Sequence, residues 1–97
     1  MRTQVRVYRI KPGELDAFVD EWRAVARLRR RHGFTVEHAW ASEDDHTFVW
    51  VVSFDGDDWE AAERAYYESD ERRALDPDPA RRVAEAAQFT VRPVDLP

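Results

Sequence analysis

The sequence predicts an α+β domain in which the order strand, helix, strand occurs twice. Three patterns carry that prediction. Residues 2–10 alternate with the period of a strand. Residues 14–32 repeat apolar side chains at helical spacings of three and four. Two β-branched and aromatic runs flank the polar segment Glu43-Asp44-Asp45.

The first strand, RTQVRVYRI, ends at Lys11-Pro12-Gly13, because proline lacks the N–H that a ladder needs. The first helix, 14–32, sets Leu15, Phe18, Val19, Trp22, Val25 and Leu28 on one face. Glu14 and Asp16 stand in its first turn. Arg27, Arg29, Arg30, Arg31 and His32 stand in its last turns, and Gly33 follows the cap; the four arginines are either an anion patch or a solvated helix end, the second being the simpler reading. The helix dipole favours that order of charges. Phe34–Ser42 and His46–Phe54 are the second and third strands, joined by a short loop at 43–45. Asp57, three residues before Glu60, is expected to cap a second helix over roughly 58–69, with Trp59, Ala62 and Tyr66 on one face. Ser69 to Leu75 adds a short helical turn. Asp78, with Pro79 behind it, is expected to cap a third helix running to about Ala86. Gln88–Val94 reads as the last strand, ended by Pro93. The halves together give the ferredoxin-like βαββαβ order, with a four-stranded antiparallel sheet.

Composition narrows the function. The chain of 97 residues holds one domain, 1–97. It has no cysteine, which excludes disulfides, thiolate metal sites and a cysteine nucleophile. Twenty acids against fifteen bases give a net charge of −5, so nucleic acid is not an expected partner. No apolar run reaches membrane-spanning length and no signal segment is visible, so the expected compartment is the cytoplasm.

The third strand points to a homodimer. His46, Phe48, Trp50, Val52 and Phe54 face one way, and Thr47, Val49, Val51 and Ser53 the other, so both faces carry apolar residues. The helices of a split βαβ unit cover one face only. The odd-numbered face, with Val5, Val7, Ala39, Ala41, Val49 and Val51, is small and β-branched, which suits sheet-on-sheet packing against a second copy. The even-numbered face is then assigned to the helices. With a three-residue loop, paired positions in the hairpin sum to 88, setting His38 opposite Trp50 and Trp40 opposite Phe48.

VRVYRIKPGELDAFVDEW, RRRHGFTVEHAWASEDD, FVWVVSFD and AYYESDERRAL resemble the NIPSNAP-like family of dimeric α/β-barrel proteins over nearly the whole chain. The more specific pieces are Arg6-Val7-Tyr8 before Lys11-Pro12-Gly13, His32-Gly33-Phe34, and Ala39-Trp40 with Ser42-Glu43-Asp44. The resemblance implies a ferredoxin-like protomer that pairs into a barrel. It implies little about activity, since many members have no assigned reaction. The wider superfamily includes cofactor-independent monooxygenases, polyketide cyclases, lactone isomerases and haem-binding proteins, several with a pocket between sheet and helices. His38 departs from the pattern, which usually has a small residue there.

The candidate site follows from strand parity. His38, on the bulky face beside Trp40 and Trp50, is either a general base with a pKa lowered by desolvation or a neutral core histidine. Arg6 either holds an anionic oxygen, with Tyr8 as donor, or pairs with a helix acid such as Asp20 or Glu21. Trp22, Trp40, Trp50, Tyr66 and Tyr67 either line a pocket for a small hydrophobic or aromatic ligand or pack as core. No metal is expected: His46 falls on the order of 13 Å from His38, four residues along the ladder. No cofactor is expected either, and the second helix offers no histidine to a haem. Two functions remain. One is a cofactor-free oxygenase, cyclase, isomerase or dehydratase acting on an aromatic or polyketide-like metabolite. The other is a non-catalytic dimeric binding or accessory protein.

Overall fold

Alternation along Arg2–Ile10 builds β1, and the 3.6-residue repeat builds helix α1 over Leu15–Arg31. The hairpin strands are β2 (Phe34–Ser42) and β3 (Thr47–Phe54). Helices α2 (Trp59–Glu68) and α3 (Asp70–Arg73), a 3₁₀ turn at Pro79–Arg82 and β4 (Val83–Val91) complete the chain. This computed structural model describes Met1–Pro97. The sheet has the order β2-β3-β1-β4, every pairing antiparallel, which is the ferredoxin-like arrangement.

Opposed residues in an antiparallel ladder share a face. Gln4 and Arg6 of β1, Phe48, Trp50 and Val52 of β3, and Phe34 and Val36 of β2 are buried. The apolar members of this set form one core with Phe18 and Leu28 of α1 and Trp59 and Tyr66 of α2. The even-numbered face of β1 and β3 therefore lies under the helices. Val5, Val7, Val49 and Val51 occupy the opposite face, half-buried and outside that core.

The hairpin departs from the expected register. Ser42 pairs with Thr47, so the turn holds four residues, and His46 sits in it at φ +50 rather than opening the strand. Near the turn, paired positions run His38 with Val51, Ala39 with Trp50 and Trp40 with Val49. Beyond a bulge between Val36 and His38, the register becomes Val36 with Val52 and Phe34 with Phe54. Glu37 is the extra residue, and it reverses the strand's parity. The Val36 carbonyl, next to the bulge, accepts a hydrogen bond from Arg30. His38 and Trp40 consequently stand on the open face with Val49 and Val51, while Ala39 and Ala41 share the face of Trp50 and Phe48.

Two further expectations are corrected. The α2 cap is Asp58, whose carboxylate accepts from the Ala61 N–H at 3.0 Å, one residue after the expected Asp57. Asp78 caps the Pro79 turn as expected, but that turn stops at Arg82 and β4 begins at Val83, five residues before Gln88. The segment VAEAA has helix-forming composition; pairing with β1 from Thr3↔Val91 to Ile10↔Val83 outweighs it.

Candidate functional site

A cavity of about 380 Å³ lies between the helix-facing side of the sheet, α1, α2 and the start of β4. Its wall is mostly apolar. Tyr8 and Trp50 rise from the sheet, Phe18, Trp22, Val25 and Arg29 descend from α1, and Tyr66 and Tyr67 come from α2. Arg72, Pro79, Ala80, Val83 and the exposed residues Ala84, Glu85 and Ala86 complete the lining. The aromatic rings meet edge to face, with Trp22 at 5.5 Å from Trp50 and Tyr8 at 6.5 Å from Trp50.

Behind Trp50 lies a buried charged network. Arg6 and Arg29 are 3% and 1% exposed, and both reach one carboxylate, Glu63 of α2, at 2.5 and 3.0 Å. The second Glu63 oxygen accepts from the Trp59 indole at 3.0 Å. Arg6 also donates to Gln4, and Arg29 to the Tyr67 hydroxyl at 3.1 Å. Burial alone would raise the Glu63 pKa; the Arg6 hydrogen bond and the two guanidinium charges outweigh it and hold the carboxyl below its ordinary value. Burial likewise opposes the charge on Arg6, yet Glu63 keeps its pKa above the ordinary range. Burial pushes the Tyr66 hydroxyl pKa up, against the positive charges of Arg29 and Arg72.

Polar atoms in the wall are left without partners. The indole nitrogens of Trp22 and Trp50, the Tyr66 hydroxyl, Nε and Nη1 of Arg29, and Nε of Arg72 are buried with no closed hydrogen bond, although Arg72 stands near enough to the Tyr66 hydroxyl to interact with it as a donor. All five residues belong to the cavity wall. Five of these six atoms are obligate donors, and the Tyr66 hydroxyl serves as donor or acceptor. Buried polar groups normally have partners, so a cluster of exceptions around one cavity calls for an explanation.

The structure thus brings Tyr8, Trp22, Trp50, Tyr66 and Tyr67 to one cavity and sets Arg6 just behind it. The Arg6 partner is Glu63 rather than Asp20 or Glu21. His38 and Trp40 do not line this cavity. They are exposed on the opposite sheet face, their rings parallel with centroids 5.6 Å apart, because the Glu37 bulge reverses their parity.

Sequence reasoning missed Glu63 and took Arg29 only as one arginine of an anion patch or solvated helix end. Arg29 continues the seven-residue spacing of Leu15 and Trp22, and so lies on the apolar stripe of α1, within a run of arginines that reads as solvated. Glu63 lies four residues after Trp59 and three before Tyr66, on the buried side of α2. Opposite charges on two buried stripes were the available signal.

No protein-family profile matches the chain, and no curated relative does. Solved structures do. An uncharacterized NIPSNAP domain protein from Burkholderia xenovorans superimposes with a TM-score of 0.81 at 15% identity, covering 97% of this chain and 95% of that one. A NIPSNAP family protein from Agrobacterium tumefaciens gives 0.84 at 13% identity, covering 97% and 93%. A putative antibiotic biosynthesis monooxygenase from Nitrosomonas europaea gives 0.72 at 16% identity, covering 93% and 86%. Such likeness at low identity speaks to architecture, and on that ground the chain has the ferredoxin-like α+β fold of NIPSNAP family proteins.

Proposed function

We propose that the protein binds a flat, mostly apolar small molecule in the cavity between sheet and helices. The observation that carries this reading is the aromatic-walled space of about 380 Å³ itself, with Trp22, Trp50 and Tyr66 in its wall. That volume falls within the range of small-molecule sites, which combine an apolar lining with a few polar groups.

The reaction side of this reading changes with the geometry. A general-base role for His38 has no place in a cavity on the other side of the sheet. The tyrosines and arginines of the wall suit a different task, stabilising an oxyanion on a bound ligand. Cofactor-free chemistry through an enolate or phenolate is the reaction class that such a wall fits. Binding without turnover is the second reading, favoured by a wall whose one carboxylate, Glu85, is exposed at its border.

Two copies are proposed to pair through the open sheet face, forming the barrel that the family resemblance implies. Rows run across all four strands there: Trp40, Val49, Val7 and Ala87, then His38, Val51, Val5 and Phe89. Trp40 and Phe89 are 57% and 55% exposed, so a wide apolar surface is uncovered in one chain.

Equilibrium binding of 1-naphthalenemethanol, followed by tryptophan fluorescence, tests the cavity reading against Ala86→Trp. Ala86 lies opposite Tyr8 on β4, where a large side chain fills the space. Saturable binding to the wild type, lost in a folded Ala86→Trp protein, is expected. Absent or unchanged binding overturns the reading.

A further inference from the structure

We infer that Arg29 forms a carboxylate-binding subsite, which makes the cavity selective for aromatic carboxylates over neutral molecules of the same shape. The inference rests on the cavity reading above and narrows its ligand class.

Charge balance is the first argument. Arg6, Arg29 and Glu63 form one buried cluster with two positive charges and one negative. The neighbouring Arg72 is matched by Asp78 at 3.2 Å, so it does not change the balance. Glu85 is exposed at the border, and its nearest cation is Arg9 at 4.0 Å. One positive charge in the wall is therefore uncompensated by the chain. A buried charge is strongly unfavourable unless paired, and a ligand anion supplies the pair.

Donor geometry is the second. Arg29 is 1% exposed and spends only Nη2, on Glu63 and Tyr67. Its Nε and Nη1 have no acceptor, and neither does the nearby Tyr66 hydroxyl. Tyr66 is close indeed: the Arg29 guanidinium carbon lies 4.1 Å from its ring centroid. Two free guanidinium nitrogens beside a free hydroxyl suit the two oxygens of a carboxylate. The rings of Phe34, Tyr66 and Tyr67, at 4.8, 4.1 and 5.2 Å, hold the guanidinium in place. At 1% exposure the guanidinium is covered by these rings, so an anion reaches Nε and Nη1 as the rings at the cavity wall move aside.

The competing account is that stacking on these rings, with Glu63, satisfies Arg29 completely. Titration calorimetry on the intact protein separates the two, using 1-naphthoate and its neutral counterpart 1-naphthalenemethanol. The wild type is expected to prefer the carboxylate by about 10–100-fold, the usual worth of hydrogen bonds to a charged group. Arg29→Leu should erase that preference while still binding the alcohol. Tyr66→Phe, which removes one hydroxyl from a buried ring, should weaken 1-naphthoate by about 3–10-fold, and by more than it weakens the alcohol, so the preference for the carboxylate narrows. Equal wild-type affinities overturn the subsite and leave the cavity reading intact. A preference that survives Arg29→Leu also overturns it. Failure of both probes to bind the wild type overturns the cavity reading as well. Should Arg29→Leu not fold, the wild-type comparison and Tyr66→Phe decide the matter.

Discussion

Replacing Glu63 with glutamine removes the negative charge shared by two buried guanidiniums and keeps the side chain's shape. Arg6 and Arg29 are 3% and 1% exposed, so water does not replace the lost partner at either. Removing one partner of a buried pair typically costs about 3–5 kcal/mol, because an uncompensated charge stays behind. Two considerations favour the lower end. The Glu63 side chain is itself 19% exposed, and the amide retains an acceptor oxygen. The expected loss is therefore about 3 kcal/mol, a large share of the roughly 5–15 kcal/mol that holds a domain together. With an m-value of about 1–3 kcal/mol/M, the urea midpoint should fall by about 1–3 M. The pH dependence gives an independent check. The Glu63 pKa is lowered in the folded protein, so its contribution is fully present above the ordinary value of 4.5 and is lost as pH falls through the folded pKa. Glu63→Gln should accordingly flatten the loss of stability below about pH 4.5. Equal midpoints, with equal acid profiles, would refute the claim that Glu63 pairs with two buried guanidiniums.

Other outcomes follow from the same structure. Asp58→Ala should cost about 0.5–2 kcal/mol in a urea melt, and Asp57→Ala should lie within about 0.5 kcal/mol of the wild type, because the cap of α2 is Asp58. Gly33→Ala should destabilise by about 1–2 kcal/mol, since φ is +88 there and a side chain is strained in that conformation. His38→Ala should leave 1-naphthalenemethanol binding unchanged, because His38 stands on the sheet face away from the cavity; a large loss would return it to the site. Val51→Arg places a charge in the middle of the open sheet face and should convert a dimer into monomer or aggregate in sedimentation; a well-folded dimer would contradict pairing through this face.

The chain's alternations reveal the sheet wherever side-chain pattern and pairing agree. β1 spans Arg2–Ile10 and β2 spans Phe34–Ser42, the limits that their alternation suggests. Patterns fail where a single backbone event overrides them. The Glu37 bulge leaves no mark in side-chain hydrophobicity, yet it carries His38 and Trp40 from one face to the other. Their assignment rested on continuous parity, and one inserted residue reverses parity for everything beyond it. At Val83 the conflict is between local preference and long-range pairing: alanine and glutamate favour a helix, and the ladder with β1 prevails. The aromatic wall was legible because Trp22, Trp50 and Tyr66 lie on regular stripes. Its polar side was hidden because Arg29 stands among Arg27, Arg30 and Arg31, and charge in such a run looks solvated until its spacing from Trp22 and Val25 is weighed.

The four tryptophans provide a direct test of the ligand site. Trp22 and Trp50 line the cavity with indole N–H groups that have no partner. Trp59 donates to Glu63 at 3.0 Å, and Trp40 is 57% exposed on the far side of the sheet. In a ¹⁵N-labelled protein each indole N–H gives its own resonance. Addition of 1-naphthoate should move the Trp22 and Trp50 signals as a ligand packs against their rings, and leave the Trp40 signal in place. Unmoved Trp22 and Trp50 signals at saturating 1-naphthoate, or movement confined to Trp40, would contradict a ligand site between the sheet and the helices.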